Sequence, residues 1–252
     1  MQITIEWRGR KYSADLNKSR HISIPLRDGA DHQPNAYGAP LFETTPYKSG
    51  DFTGSLESGS PVNYYNVRLN PHGNGTHTES IGHIAAGRLP IHECLKDTHV
   101  IAELISVYPT KIDSGDTVIH AETLSALKEH KADALIVRTL PNETEKKFRK
   151  YTGNNPPYFS LDAMNWIHAQ GYNHLLTDLP SVDKEEDEGA LKAHKAFWQV
   201  ETSPLIHRTI TEMIYVQNDI EDGIYLLNIQ IAPLILDASP SRPVLFKLNE
   251  ET

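Results

Sequence analysis

Asn70-Pro71-His72-Gly73-Asn74-Gly75-Thr76-His77-Thr78-Glu79-Ser80-Ile81-Gly82-His83 places three histidines and a glutamate within twelve residues. On a strand, residues two apart point to one face, so His77 and Glu79 would project together as a nitrogen and an oxygen ligand. Gly73 and Gly75 free the backbone to turn, which lets His72 swing back toward the same point. His83 follows Gly82 within reach of the same cavity. Imidazole and carboxylate together suit zinc, manganese or ferrous iron, and a site with carboxylates and no cysteine favours a catalytic over a structural ion. Spacing alone leaves a second reading open, because histidines beside glycines also serve as loop residues hydrogen-bonded to backbone.

Around this stretch the pattern is mixed. Ile3, Ile5 and Trp7 alternate with polar residues, Arg8-Gly9-Arg10 interrupts, and Tyr12, Ala14 and Leu16 alternate again, which predicts a β-hairpin. Short strands are expected over His21 to Leu26 and Tyr64 to Leu69. The segment between them, residues 27–62, is rich in Gly, Pro, Ser and Asp. Loops this long are usually functional or mobile, so it is a candidate lid or subunit-contact segment. Beyond the histidines, strands are expected at His99 to Ser106, at the β-prone apolar run Ala134 to Arg138, and at His174 to Thr177. Further strands are expected over Ile224 to Leu236 and Val244 to Leu248. Helices are expected over Ala121 to Glu129 and Glu188 to Trp198. Another begins after a Ser160 cap, carries Leu161, Met164, Trp166 and Ile167, and stops at Gly171. Strands interleaved with helices predict an α/β fold with a substantial sheet. No repeat or shift in composition divides the chain, so one domain over residues 1–252 is expected.

Composition narrows the partners. A chain of 252 residues with 38% hydrophobic content can bury a large core. Its formal net charge of −9 runs against nucleic-acid binding, which calls for a basic surface. Its longest apolar runs, such as Ala134 to Val137 and Ile231 to Leu236, are too short to span a bilayer. Met1-Gln2-Ile3-Thr4 opens no secretory pattern, and the single cysteine, Cys94, leaves no intramolecular disulfide. The expectation is a cytoplasmic protein with a small-molecule partner, no nucleic acid and no membrane.

The histidine-rich stretch resembles the motif His-x-Gly-Thr-His-x-Asp-x-Pro-x-His of the cyclase family, which includes the bacterial kynurenine formamidases. Gly75-Thr76-His77 matches its centre and His83 its last histidine. The resemblance continues in order along the chain. Ala134-Leu135-Ile136-Val137-Arg138-Thr139 is similar to the family strand ending in Arg-Thr, and Thr177-Asp178-Leu179-Pro180-Ser181-Val182-Asp183 to its Asp-x-Pro-Ser-x-Asp segment. Ala193-His194 resembles the Ala-His that follows, Thr211-Glu212-Met213-Ile214 the later glutamate segment, and Pro240-Ser241-Arg242-Pro243-Val244 the C-terminal Pro-x-Arg segment.

The resemblance implies a mixed-sheet, swivelling β/β/α fold assembled as homodimers or homotetramers. It also implies two divalent ions per chain, zinc or manganese. Carried over, His72, His77 and Glu79 would hold the first ion, His194 the second, Glu212 would bridge, and His83 would be the catalytic acid/base. The implied reaction is hydrolysis of an amide or formamide by hydroxide from a metal-bound water, as in conversion of N-formylkynurenine to kynurenine and formate. Tyr37, Tyr47, Tyr64, Tyr65 and Trp198 are available to hold an aromatic ring. Cyclic-amide (isatin-like) hydrolysis, or binding of a metal or small molecule without catalysis, are the alternatives. The chain departs from the motif in four places. His72 lies five residues before His77 where the family has four, Glu79 replaces aspartate, Ile81 replaces proline, and the gap from His194 to Glu212 is longer, which makes Glu201 a competitor for the glutamate role. Without the resemblance, His194 on an apolar helix face reads as a core histidine, and Asp178, Ser181 and Asp183 read as turn caps. Arg138 and Arg242 then read as partners of surface carboxylates, and His174 and His207 as structural.

Overall fold

The chain folds around a run of four parallel strands, His99–Val107, Ala134–Thr139, His174–Thr177 and Thr209–Glu212, paired in that order. This is a computed structural model, and it describes residues 1–87, 89–129 and 131–251. Parallel strands need crossovers. These carry the helices Ala121–Leu127, Leu161–Gln170 and Lys192–Trp198. Antiparallel strands extend both sides of the run. His77–Glu79 and then Ala238–Pro240 add beside Thr209–Glu212, while Gly223–Asn228, Val244–Lys247 and Arg20–His21 add beside His99–Val107. The result is one nine-stranded mixed sheet, the α/β arrangement expected from the sequence.

Alternation along the buried strands divides the core between the two faces. Leu135 and Val137 pack with the helices, among Leu124, Met164, Ile167, Phe197 and Trp198. Ala134 and Ile136 pack on the other face with Ile22, Ile91, Ile214 and Leu245. Trp198 is fully buried, and its indole donates to Arg208 O at 2.9 Å. Truncating it to alanine would cost about 3–5 kcal/mol.

The N-terminal hairpin forms as expected, Gln2–Trp7 against Arg10–Asp15. The helix after Ser160 does too, with the Ser160 hydroxyl accepting from Ala163 N and a left-handed Gly171 ending it. Three boundaries differ from expectation. Of the His21 to Leu26 segment only His21 joins the sheet, in the two-residue strand Arg20–His21. Ile24 N instead donates to Thr76 Oγ1 at 2.8 Å, so the segment braces the histidine-rich stretch. The helix expected from Glu188 starts at Lys192, because Leu191 is left-handed at φ 49°. The strand expected to run to Leu236 ends at Asn228. The chain then leaves the sheet and returns as Ala238–Pro240 on the far edge, a position that tolerates Pro240. Residues 27–62 are not a bare loop, since Glu43–Pro46 pairs with Tyr65–Arg68 in a ribbon. Among the described residues no helix is long and apolar enough to cross a membrane.

Candidate metal centre

His77 and Glu79 lie on one face of their strand, as period-two alternation requires. Antiparallel pairing sets Glu212 directly opposite His77, with His77 Nε2 3.5 Å from Glu212 Oε2. The helix Lys192–Trp198 lays His194 over the same face, with Nε2 3.2 Å from Glu79 Oε1 and 3.9 Å from Glu212 Oε1. His72 sits in a helical turn, Pro71–Asn74, capped by the Asn70 side chain. That turn absorbs the extra residue before His77 and brings His72 Nδ1 to 3.2 Å from Glu79 Oε2. A Cβ on Gly73 would stand 2.2 Å from the Ala39 Cβ, so glycine is required where residues 36–39 pack against the turn. His83, at the end of the short 3-10 turn Ile81–His83, places Nδ1 4.0 Å from Glu79 Oε2. All six residues proposed from the sequence therefore converge. Glu201 does not join them: it is exposed beyond the helix that carries His194.

The convergence is electrostatically unusual. His77, Glu79, His194 and Glu212 are all buried. His77 Nε2 and Glu79 Oε2 are buried atoms without a hydrogen-bond partner among the described residues. Unsatisfied buried polar atoms are costly, and here they face into the cluster. The second ring nitrogens are held from behind. His77 Nδ1 donates to Gly75 O at 2.9 Å, which leaves Nε2 with its lone pair. His194 Nδ1 donates to Asp183 Oδ2 at 2.6 Å, the carboxylate–histidine pairing that orients metal-binding imidazoles. Without an ion, protons take its place. Burial pulls the His194 imidazole down, but Asp183 and then Glu79 outweigh it and hold it up to about 10. His72 is likewise raised to about 10, with burial overcome by Asp237 and then Glu79. Burial pushes the Glu79 carboxyl up, yet His194 and His72 hold it well below the usual range. The donor set fits divalent ions: Glu79 and its neighbours form triads whose ligand atoms lie within 4.8 Å of one another, one with His72 and His77 and one with His83 and His194.

Two further residues at the site are not among the six that the sequence proposes. Asp183, read there as a turn cap, does accept from Ala193 N and His194 N at the start of the helix, and it also orients the His194 ring. Asp237 touches both His72 and His83. Asp178 stays structural, taking bonds from Thr139 and Lys146. Arg138 pairs with Asp222 and Arg242 contacts His21, whereas His174 bonds Thr209 and His207 bonds Asn173.

A cavity of about 310 Å³ opens onto the cluster, lined by Tyr37, His72, His83, Ser181, His194 and Glu212 among others. That is within the range of small-molecule sites, roughly 300–1,000 Å³. Tyr37 is its aromatic wall among the described residues, and its hydroxyl donates to Pro180 O at 3.0 Å. Trp198 stacks behind His194, with ring centroids 5.6 Å apart. Tyr64 and Tyr65 are exposed at the ribbon, where Tyr47 contacts Tyr64.

Residues 20–184 match the family described as "Putative cyclase", and the chain belongs to that family. It is 25% identical over 223 residues to a kynurenine formamidase of Bordetella petrii, covering 86% of this chain and 96% of that protein. Among solved structures, one titled a potential metal-dependent hydrolase with cyclase activity superposes with a TM-score of 0.66 at 16% identity, over 91% of this chain and 97% of that one. Isatin hydrolase A from Ralstonia solanacearum superposes with a TM-score of 0.63 at 13% identity, over 91% of both chains. These two likenesses establish the shared fold.

Proposed function

We propose that the protein is a metal-dependent hydrolase of a C–N bond in a formamide or amide, with N-formylkynurenine as its first candidate substrate. The observation that carries this reading is the convergence of His72, His77, Glu79, His194 and Glu212, all but His72 buried, with two buried ligand atoms, His77 Nε2 and Glu79 Oε2, that have no hydrogen-bond partner among the described residues. Two ions held by these five residues would polarise the substrate carbonyl and lower the pKa of a water to about 7. His83 lies beside the cavity with its side chain 32% exposed. It accepts a proton from the attacking water as the new C–O bond forms and the carbonyl π pair moves onto oxygen. When that pair returns, the C–N bond breaks and His83 gives its proton to the departing nitrogen. For a formamide the products are an amine and formate. Tyr37 supplies an aromatic face for a ring-bearing substrate.

The isatin hydrolase likeness motivates a second substrate, a cyclic amide, with the same residue roles. Assembly as dimers or tetramers in the cytoplasm belongs to the same reading. The test is hydrolysis of N-formyl-L-kynurenine and of isatin by zinc- or manganese-loaded protein, before and after chelation. Metal-dependent turnover of the formamide supports the reading. Turnover of isatin alone moves the substrate to the cyclic amides. Turnover of neither favours a binding protein without catalysis.

A further inference from the structure

We propose that Asp237 is a positioning residue that locks the His72 and His83 rings with a single carboxylate oxygen, an inference that rests on the hydrolase reading above. Asp237 Oδ2 lies 2.8 Å from His72 Nε2 and 3.3 Å from His83 Nδ1. The two rings lie side by side and tilted, with centroids 4.3 Å apart and planes inclined by 32°. A carboxylate accepts and an imidazole N–H donates, so in the neutral rings that metal binding requires both contacts specify which nitrogen carries hydrogen. In a neutral His72 donating from Nε2, the Nδ1 lone pair faces Glu79 Oε2 at 3.2 Å. In a neutral His83 donating from Nδ1, Nε2 is the atom free to take a proton.

The same logic governs the other histidines of the cluster. His77 is held through Nδ1 by Gly75 O, and His194 through Nδ1 by Asp183. Asp237 supplies the acceptor that His72 would otherwise lack, and it extends that control to His83. It is also firmly placed. Its carbonyl accepts from Ser80 N at 2.9 Å and Ser80 Oγ at 3.2 Å, and the next residue, Ala238, pairs with Glu79. The frame that fixes Glu79 thus fixes the carboxylate that aims His72 and His83. Because Asp237 lies within ligand range of both histidines, the competing role is that of a metal ligand.

The test compares zinc-loaded wild type with Asp237→Asn, which keeps the side-chain shape, and with Asp237→Glu. Zinc content, kcat and KM for N-formyl-L-kynurenine and isatin, and the ¹⁵N NMR tautomer pattern of His83 are measured. Expected for Asp237→Asn are unchanged zinc content, KM within about twofold, kcat lower by roughly 10–100-fold, and loss of the single His83 tautomer. Asp237→Glu should recover part of kcat and the tautomer. Loss of a zinc equivalent in Asp237→Asn would overturn the proposal by making Asp237 a ligand. An unchanged His83 tautomer pattern would overturn it too, whatever happens to kcat. If wild type hydrolyses neither probe, the hydrolase reading fails by itself, and the tautomer comparison still decides the role of Asp237.

Discussion

Glu212 stands directly opposite His77 across an antiparallel strand pair, and the facing atoms, His77 Nε2 and Glu212 Oε2, are 3.5 Å apart. That pairing makes no hydrogen bond from His77 Nε2, although both side chains are buried. An ion held between these strands would tie the antiparallel strand His77–Glu79 to the parallel run at Thr209–Glu212. Metal should therefore stabilise the fold in proportion to RT ln(1 + [L]/Kd), about 2.7 kcal/mol at a hundredfold excess over Kd. Thermal unfolding with and without zinc checks this: the melting temperature should rise for wild type and stay flat for Glu212→Ala.

Asp183 should govern metal affinity without touching the metal. Its carboxylate orients His194 at 2.6 Å and accepts two backbone N–H groups at the helix start. Asp183→Ala is expected to weaken zinc binding by roughly 10–100-fold and to cost about 1 kcal/mol of stability through the lost cap. Calorimetric titration and urea unfolding separate the two effects.

Metal uptake should release protons. His72 and His194 are raised to about 10 in the metal-free chain, so at neutral pH both imidazoles carry a proton that an arriving ion displaces. Affinity should fall as pH falls, by up to about tenfold per pH unit for each proton released. The metal-free fold has the opposite dependence. A raised histidine pKa contributes stability that is fully present below about 6.5 and lost as pH rises toward 10. Zinc titrations in two buffers of different ionisation enthalpy would count the protons, and a count of zero would contradict this assignment.

Away from the site, His174 should make the fold acid-labile. Burial lowers its pKa to about 4, and its Nδ1 contacts Thr209 Oγ1 at 2.8 Å. Stability from keeping this ring neutral is present above about 6.5 and lost as pH falls toward 4. A shift of this size corresponds to on the order of 3 kcal/mol. Urea midpoints at pH 7 and pH 5 should differ less for His174→Asn than for wild type.

The site was readable from sequence where its chemistry is local. Period-two spacing joined His77 to Glu79, and the glycines beside His72 announced a turn, although not that it would be helical. His194 was ambiguous because apolar neighbours such as Phe197 and Trp198 suit a core helix equally well, and only the family resemblance separated the readings. Asp237 was not readable. It meets His72 across 165 positions of sequence, and the apolar run Ile231 to Leu236 before it imitates a strand that the chain does not form. Thr209–Glu212 carries polar residues on a buried strand because Thr211 bonds Thr78 across the sheet, a tertiary contact that no pattern within the segment displays.

Metal content by mass spectrometry, on wild type, His77→Ala and Glu212→Ala, tests the central claim most directly. The account predicts about two zinc or manganese ions per wild-type chain, with metal lost from both variants. A wild-type chain that remains metal-free after zinc and manganese are supplied would contradict it.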